Sequence, residues 1–179
     1  YEDYVHKVMH IDPSGRGADE TSVCVSGYLN GYVFILELDG LQGGYSERTL
    51  EKIVTMAMET KVNVIRFESN FGDAMFGQIL LPVMRRMGCN AGIEEFRVSG
   101  NKSKRIIGTL EPAMSAHRLV VDPKVIKQEE TQRQLTRITE MKGSLKHDDR
   151  VDVLASSVSY WEDSLGINVD DKVAEAEYM

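Results

Sequence analysis

At 179 residues with 42% hydrophobic side chains, the chain holds enough apolar material for the core of one globular domain and too much to stay disordered. No run approaches the ~20 apolar residues that span a bilayer, and Tyr1-Glu2-Asp3-Tyr4 has neither the basic nor the apolar part of a secretory leader, so no membrane partner is expected. The net charge of −7 argues against a protein that coats nucleic acid by charge alone.

The charge is polarised: residues 97–146 carry eleven Lys and Arg against five Asp and Glu. A basic middle beside an acidic remainder suits an enzyme that grips phosphates with one surface and holds divalent cations with another. Ordinary solvated helix faces would give the same counts. Cys24 and Cys89 lack CxxC or Cys/His spacing and read as buried thiols of an intracellular protein, not zinc ligands. The chain starts without Met and soon enters an apolar segment, which suggests the C-terminal piece of a longer protein.

Val5 to Ile11 reads as a strand that ends at Asp12, before the turn-forming Pro13-Ser14-Gly15. Residues 21–29 and 32–38 are β-rich runs joined by Asn30-Gly31, a strong hairpin signal. A helix over 45–60 follows, with Ser46 as its N-cap and Leu50, Ile53, Val54 and Ala57 on one face. Residues 61–69 form a buried strand ending at Glu68, and Phe71 to Met87 a second helix that Pro82 could disturb. A strand near Ile93 to Val98, a helix from about Lys104 to His117, a short strand over 118–122, a polar helix after Pro123 and a helix opening near Asp148 complete the order.

This order predicts an α/β fold: an antiparallel three-strand meander followed by βα units, in a mixed sheet with helices on both faces. A right-handed crossover would set the first and fourth strands side by side and parallel, bringing Asp12 and Glu68 together at their carboxyl ends. Residues 1–165 would form this domain and 166–179 a loose acidic tail.

The acidic residues carry the chemistry. Asp12 alone is a good turn former, and Glu68 at the end of an apolar strand is costly to bury unpaired. Asp148, Asp149 and Asp152 crowd the start of an apolar helix, where one aspartate suffices as a cap. Asp149 and Asp152, three apart, share a helical face. If the three clusters converge, their mutual repulsion calls for hard cations with oxygen ligands, Mg²⁺ or Mn²⁺. Two such ions, ~3.5–4 Å apart, would activate water and stabilise the leaving oxygen in phosphodiester hydrolysis. His147 is a candidate to orient that water or carry a proton.

The segments HIDPSGRGADET, IRFESNFG and KHDDRVDVLA, in that order, resemble the nuclease domain of the large terminase subunit of tailed bacteriophages, an RNase H-like endonuclease that cuts concatemeric DNA during packaging. The resemblance spans most of the chain. It implies a catalytic metal triad at Asp12, Glu68 and Asp149, with Asp148 and Asp152 as further metal ligands, Asp19 near the same cleft, and double-stranded DNA as substrate in the host cell cytoplasm. Asp149 is preferred to Asp148 because three residues separate it from Asp152, the spacing of the corresponding pair in related resolvase-type nucleases. The family also implies an N-terminal packaging ATPase, and portal and small terminase subunits as partners. No GxxxxGK[ST] occurs in this chain, so the ATPase is expected outside it. The basic stretch with Lys102, Lys104 and Arg105 is the expected phosphate contact.

Two other readings fit part of the sequence. The glycines of DPSGRGADETSVCV could cradle a phosphate in an actin-like or sugar-kinase-like enzyme, although the chain is short for a two-lobed nucleotide cleft. A noncatalytic docking module on a nuclease-like fold would not need the intact acidic set. Calorimetric titration with divalent metal and with ATP separates the three.

Overall fold

The structure, a computed structural model, describes residues 6–14, 20–69, 75–139, 141, 145 and 147–162. Asp19, Phe71, Lys146 and the tail expected over 166–179 lie outside the described residues. Strands β1 (His6–Asp12), β2 (Thr21–Leu29) and β3 (Tyr32–Leu41) form the antiparallel meander. Asn30 and Gly31 turn the hairpin with φ of 51° and 82°, the two left-handed positions a tight two-residue loop demands. Helix α1 (Glu47–Glu59) starts on Ser46, whose Oγ accepts from Thr49 N–H.

The crossover through α1 returns the chain as β4 (Val64–Glu68), parallel to β1. Helix α2 (Met75–Met87) runs unbroken through Pro82 and leads to β5 (Gly92–Phe96), parallel to β4. Helix α3 (Lys102–Ser115) precedes β6 (Leu119–Val121), which pairs parallel with β3 at the opposite edge. The sheet order is β5-β4-β1-β2-β3-β6. Helices α4 (Pro123–Ile126), α5 (Glu129–Arg137) and α6 (Asp149–Ser159) complete the described chain.

Several boundaries differ from the sequence reading, among them the run of β3 to Leu41 and the end of β5 at Phe96, and three differences have a local cause. Helix α3 begins at Lys102 because Asn101 Oδ1 accepts from Lys104 N–H at 3.0 Å and so serves as N-cap. It ends before His117, whose φ of 53° is left-handed. The expected polar helix after Pro123 is two helices, broken where Gln128 adopts an extended conformation (φ −68°, ψ 124°).

Strand pleating sorts the core into two layers. Met9, Ile11, Ile65 and Phe67 face α1 and α2, whereas Val8, Cys24, Val33 and Ile35 pack with α3 and α6. Cys24 is buried as expected, whereas Cys89 is only half-buried. By the same alternation His10, Asp12, Arg66 and Glu68 belong to the face that α6 covers. An apolar side chain buried at such a position would contribute ~1.5–3 kcal/mol, so four polar residues there are expensive for the fold. Among the described residues no helix is long and apolar enough to cross a membrane.

Candidate metal centre

Asp12 closes β1 and Glu68 closes β4, one position beyond the paired residues Ile11 and Phe67. Asp152 comes from the first turn of α6, which packs across β1 and β2. One carboxylate oxygen from each of Asp12, Glu68 and Asp152 lies within 4.8 Å of the others. Glu68 and Asp152 are only 8% and 4% exposed. Burial, followed by the charges of Glu68 and Asp152, pushes the Asp12 carboxyl up to about 7; Asp149 adds to the rise and Lys102 opposes it. These mutual repulsions mark the cluster as anionic.

The aspartates of α6 are not spent on capping. Asp148 occupies the N-cap position, yet its side chain makes no capping hydrogen bond. Gln134, a buried side chain of α5, performs that role: its Oε1 accepts from Arg150 N–H at 3.1 Å and Val151 N–H at 3.2 Å. Its Nε2 donates to Glu130 Oε1 at 2.7 Å, which fixes the amide orientation. Arg150 ties the same turn to Glu20 and Gln128, at 2.7 and 2.8 Å. The helix start is therefore held from its outer side, and its carboxylates are left to face the sheet.

The expected DNA-gripping trio divides. Lys102 Nζ sits among the carboxylates, 2.7 Å from Asp148, 3.2 Å from Asp152 and 3.5 Å from Asp149. Burial works against its charge, but Asp152, Asp148 and Asp149 outweigh this and raise its pKa above the ordinary lysine range. Arg105 pairs with the other oxygen of Asp152. Lys104 stays exposed. Asp149, the sequence-based choice for third ligand, flanks the site through Lys102 and lies outside the tight set of three, where Asp152 takes the third place. His147 lines a different cleft, with Glu20, Gln42, Glu130 and Arg133.

The sequence reading missed Lys102 as an internal counter-charge, although a signal was present. Lys102, Lys104 and Arg105 occupy the first turn of α3, with no acidic residue there, at the end of a helix where the dipole disfavours cations. Facing anions resolve that conflict. It also missed His10 and Arg66. His10 is fully buried, with Nε2 at 3.2 Å from Arg66 Nη1; the guanidinium must donate, so Nε2 accepts and the proton sits on Nδ1. Burial first, and Arg66 second, lower its pKa to about 3, so the ring is neutral.

Residues 11–119 match the family model described as Terminase Bacteriophage T7, Ribonuclease H-like domain. The large terminase subunit of Enterobacteria phage T3 is 40% identical over 191 aligned positions, covering 97% of this chain and 32% of the T3 protein. The chain thus spans about a third of that relative's length. Among solved structures, the nuclease domain of the large terminase subunit gp2 of bacterial virus Sf6 matches with a TM-score of 0.65 at 10% identity, over 87% of this chain and 88% of that one. The human cytomegalovirus terminase nuclease domain matches with a TM-score of 0.60 at 12% identity, over 90% and 86% of the two chains. These likenesses speak for the fold, a mixed six-stranded sheet with helices on both faces, as in RNase H-like nucleases. With the family model covering more than half of its length, the chain belongs to the Ribonuclease H-like domain family of T7-type terminases.

Proposed function

We propose that this domain is the metal-dependent DNA endonuclease of a packaging terminase, with Asp12, Glu68 and Asp152 as central metal ligands and Asp148 and Asp149 completing the shell. The observation that carries this reading is the set of three carboxylate oxygens within 4.8 Å, two of them on residues less than a tenth exposed. The donor set fits the cation: it is all hard oxygen, which suits Mg²⁺ or Mn²⁺ and not softer metals. Two ions bound there would supply a water activated near neutral pH and positive charge at the phosphodiester oxygens.

The protein's own residues prepare the site. Lys102 and Arg105 hold the α6 carboxylates against mutual repulsion, and Gln134 holds the backbone that carries them. Asp12 must ionise to serve as a ligand. Double-stranded DNA is the substrate, in the host cytoplasm, and an N-terminal ATPase, portal and small terminase subunit are the partners of the full protein. The purified domain should nick or linearise plasmid DNA with Mn²⁺ or Mg²⁺ and stop with a chelator. Cleavage that persists in Asp12→Asn protein would place the activity elsewhere.

A further inference from the structure

Beside the carboxylate cluster lies a second cleft, of about 430 Å³, between the end of β5, α3 and α6. Arg66, Arg97, Arg105, Thr109, Ser156 and Tyr160 line it, and among the described residues no acidic one does. Each of the three guanidinium groups has a carboxylate partner, Arg66 with Glu94, Arg97 with Glu95 and Arg105 with Asp152, but none of those carboxylates lines the cleft. Two atoms of the lining residues are buried without a hydrogen-bond partner: Arg105 Nε and Ser156 Oγ. Ser156 is 9% exposed, so its hydroxyl has little water to turn to.

Arg66 and Arg105 are held in place beforehand, Arg105 by Asp152. The Arg66 guanidinium lies 5.0 Å from the centroid of Phe96 and 4.8 Å from that of Tyr160, with Nη1 on His10 and Nε on Glu94. A fixed guanidinium loses little freedom on binding a ligand. Arg66 covers one face of each ring. Donors dominate the lining and the charge is positive, which is the recognition chemistry of a tetrahedral oxyanion.

We infer that this cleft is a phosphate subsite that seats one backbone phosphate of the DNA strand entering the metal centre, with Arg105 Nε–H and Ser156 Oγ–H as inner donors and Arg66 and Arg97 supplying charge. The inference rests on the nuclease reading. Arg105 belongs to both sites: one terminal nitrogen holds Asp152 while its Nε serves the cleft. Seating a phosphate here sets the register of the strand over the carboxylates without reading its sequence.

The test follows the Arg105 Nε–Hε NMR signal of the Ca²⁺-saturated chain as a short DNA duplex is added, with duplex affinity measured by fluorescence anisotropy across a salt series. The signal should shift with duplex. A duplex carrying a methylphosphonate at one particular position should lose that shift. Arg97→Ala should lower the slope of log affinity against log salt by about one unit. Ser156→Ala, a neutral change, should weaken binding several-fold at an unchanged slope.

An Arg105 signal that ignores duplex, with both variants binding as wild type does, overturns the subsite. Saturation by millimolar inorganic phosphate, with every methylphosphonate duplex bound as tightly as the unmodified one, overturns the backbone assignment in favour of a free phosphate. Plasmid cleavage in Mn²⁺, run in parallel, keeps the two readings apart. Cleavage with an unmoved Arg105 signal removes the subsite and spares the nuclease; a moved signal without cleavage does the reverse.

Discussion

Replacing Gln134 by Leu tests whether a side chain of α5 sets the start of α6. In the folded protein Gln134 Oε1 accepts from two backbone N–H groups, those of Arg150 and Val151, and Val151 is fully buried. Leucine is similar in size and accepts nothing, so the core stays filled while both donors lose their partner. A buried unsatisfied donor costs ~1–3 kcal/mol; Arg150 is half-buried and regains part of its loss from water. The expected destabilisation is about 2–4 kcal/mol, a fall in Tm of about 4–16 °C for a domain of this size. Glu130 loses one donor but keeps Arg133, so its contribution is small. Gln134→Glu retains an acceptor at the helix N-terminus and should cost less than Leu, although its carboxylate meets Glu130. Asp148→Ala, by contrast, removes no capping bond and should cost under ~0.5 kcal/mol. Urea and thermal melts in chelator give the ranking. If Asp148→Ala proves the more damaging of the two, α6 is capped conventionally and the reasoning fails.

Asp12→Asn should stabilise the metal-free protein in a pH-dependent way. The folded carboxyl titrates at about 7 against an ordinary 3.8, so the penalty of its ionised form is absent below about pH 4, grows from there to pH 7 and is complete above it. The gain in chelator should thus be larger at pH 8 than at pH 5, with a ceiling of about 4 kcal/mol, and equal Tm differences at the two pH values would refute it. Lys102→Ala removes the ammonium that occupies the carboxylate cluster, so calorimetry should find Mn²⁺ bound about tenfold tighter, ~1.4 kcal/mol, and weaker binding would mean that Lys102 organises the ligands more than it competes with the ion. Gly40→Ala would put a Cβ 1.9 Å from the Glu20 carboxylate carbon and push that carboxylate off Arg150, at a cost of about 1–2 kcal/mol; a Tm within 1 °C of wild type would show that Glu20 can shift and keep its partner.

The legible parts of this fold are those fixed by local chemistry or by chain handedness. Asn30-Gly31 names its own turn, and the crossover rule places β4 beside β1, which brings Asp12 to Glu68. Glu68 stood out because a carboxylate ending an apolar strand has no structural use. That Asp152, expected as a further ligand beside Asp149, joins the tight set of three was not legible, because it depends on the rotation of α6 about its axis. Every residue from Val151 to Val158 is buried, so the hydrophobic pattern marks no single face and cannot give that rotation. Gln134 was hidden for another reason: it caps a helix that begins 15 residues later, and capping rules look only at neighbours. The break at Gln128 carries neither Gly nor Pro. Lys102 was read by its charge alone, whereas its role depends on which carboxylates the sheet brings to it.

These features share one electrostatic problem. A site for divalent cations must be folded before the cations arrive, so the chain has to hold five carboxylates together, with Lys102 and Arg105 as cationic partners among the described residues. Each device lowers a different part of the cost. Gln134 frees the α6 aspartates from capping, Lys102 spreads one positive charge over three of them, and Asp12 can keep its proton up to about pH 7. None of these balances the site fully, and that residue of negative charge is what an ion can use for affinity. On the proposed reading, the same imbalance explains how an acidic chain would act on DNA. The cluster repels a phosphodiester while it carries carboxylates in excess, and two divalent ions would reverse its sign. The arginine cleft alongside is lined by three guanidinium groups and, among the described residues, by no carboxylate, so on the proposed reading it can hold the strand before the neighbouring carboxylates are neutralised. On the proposed reading, holding DNA and cutting it fall to adjacent surfaces of opposite charge, joined through Arg105.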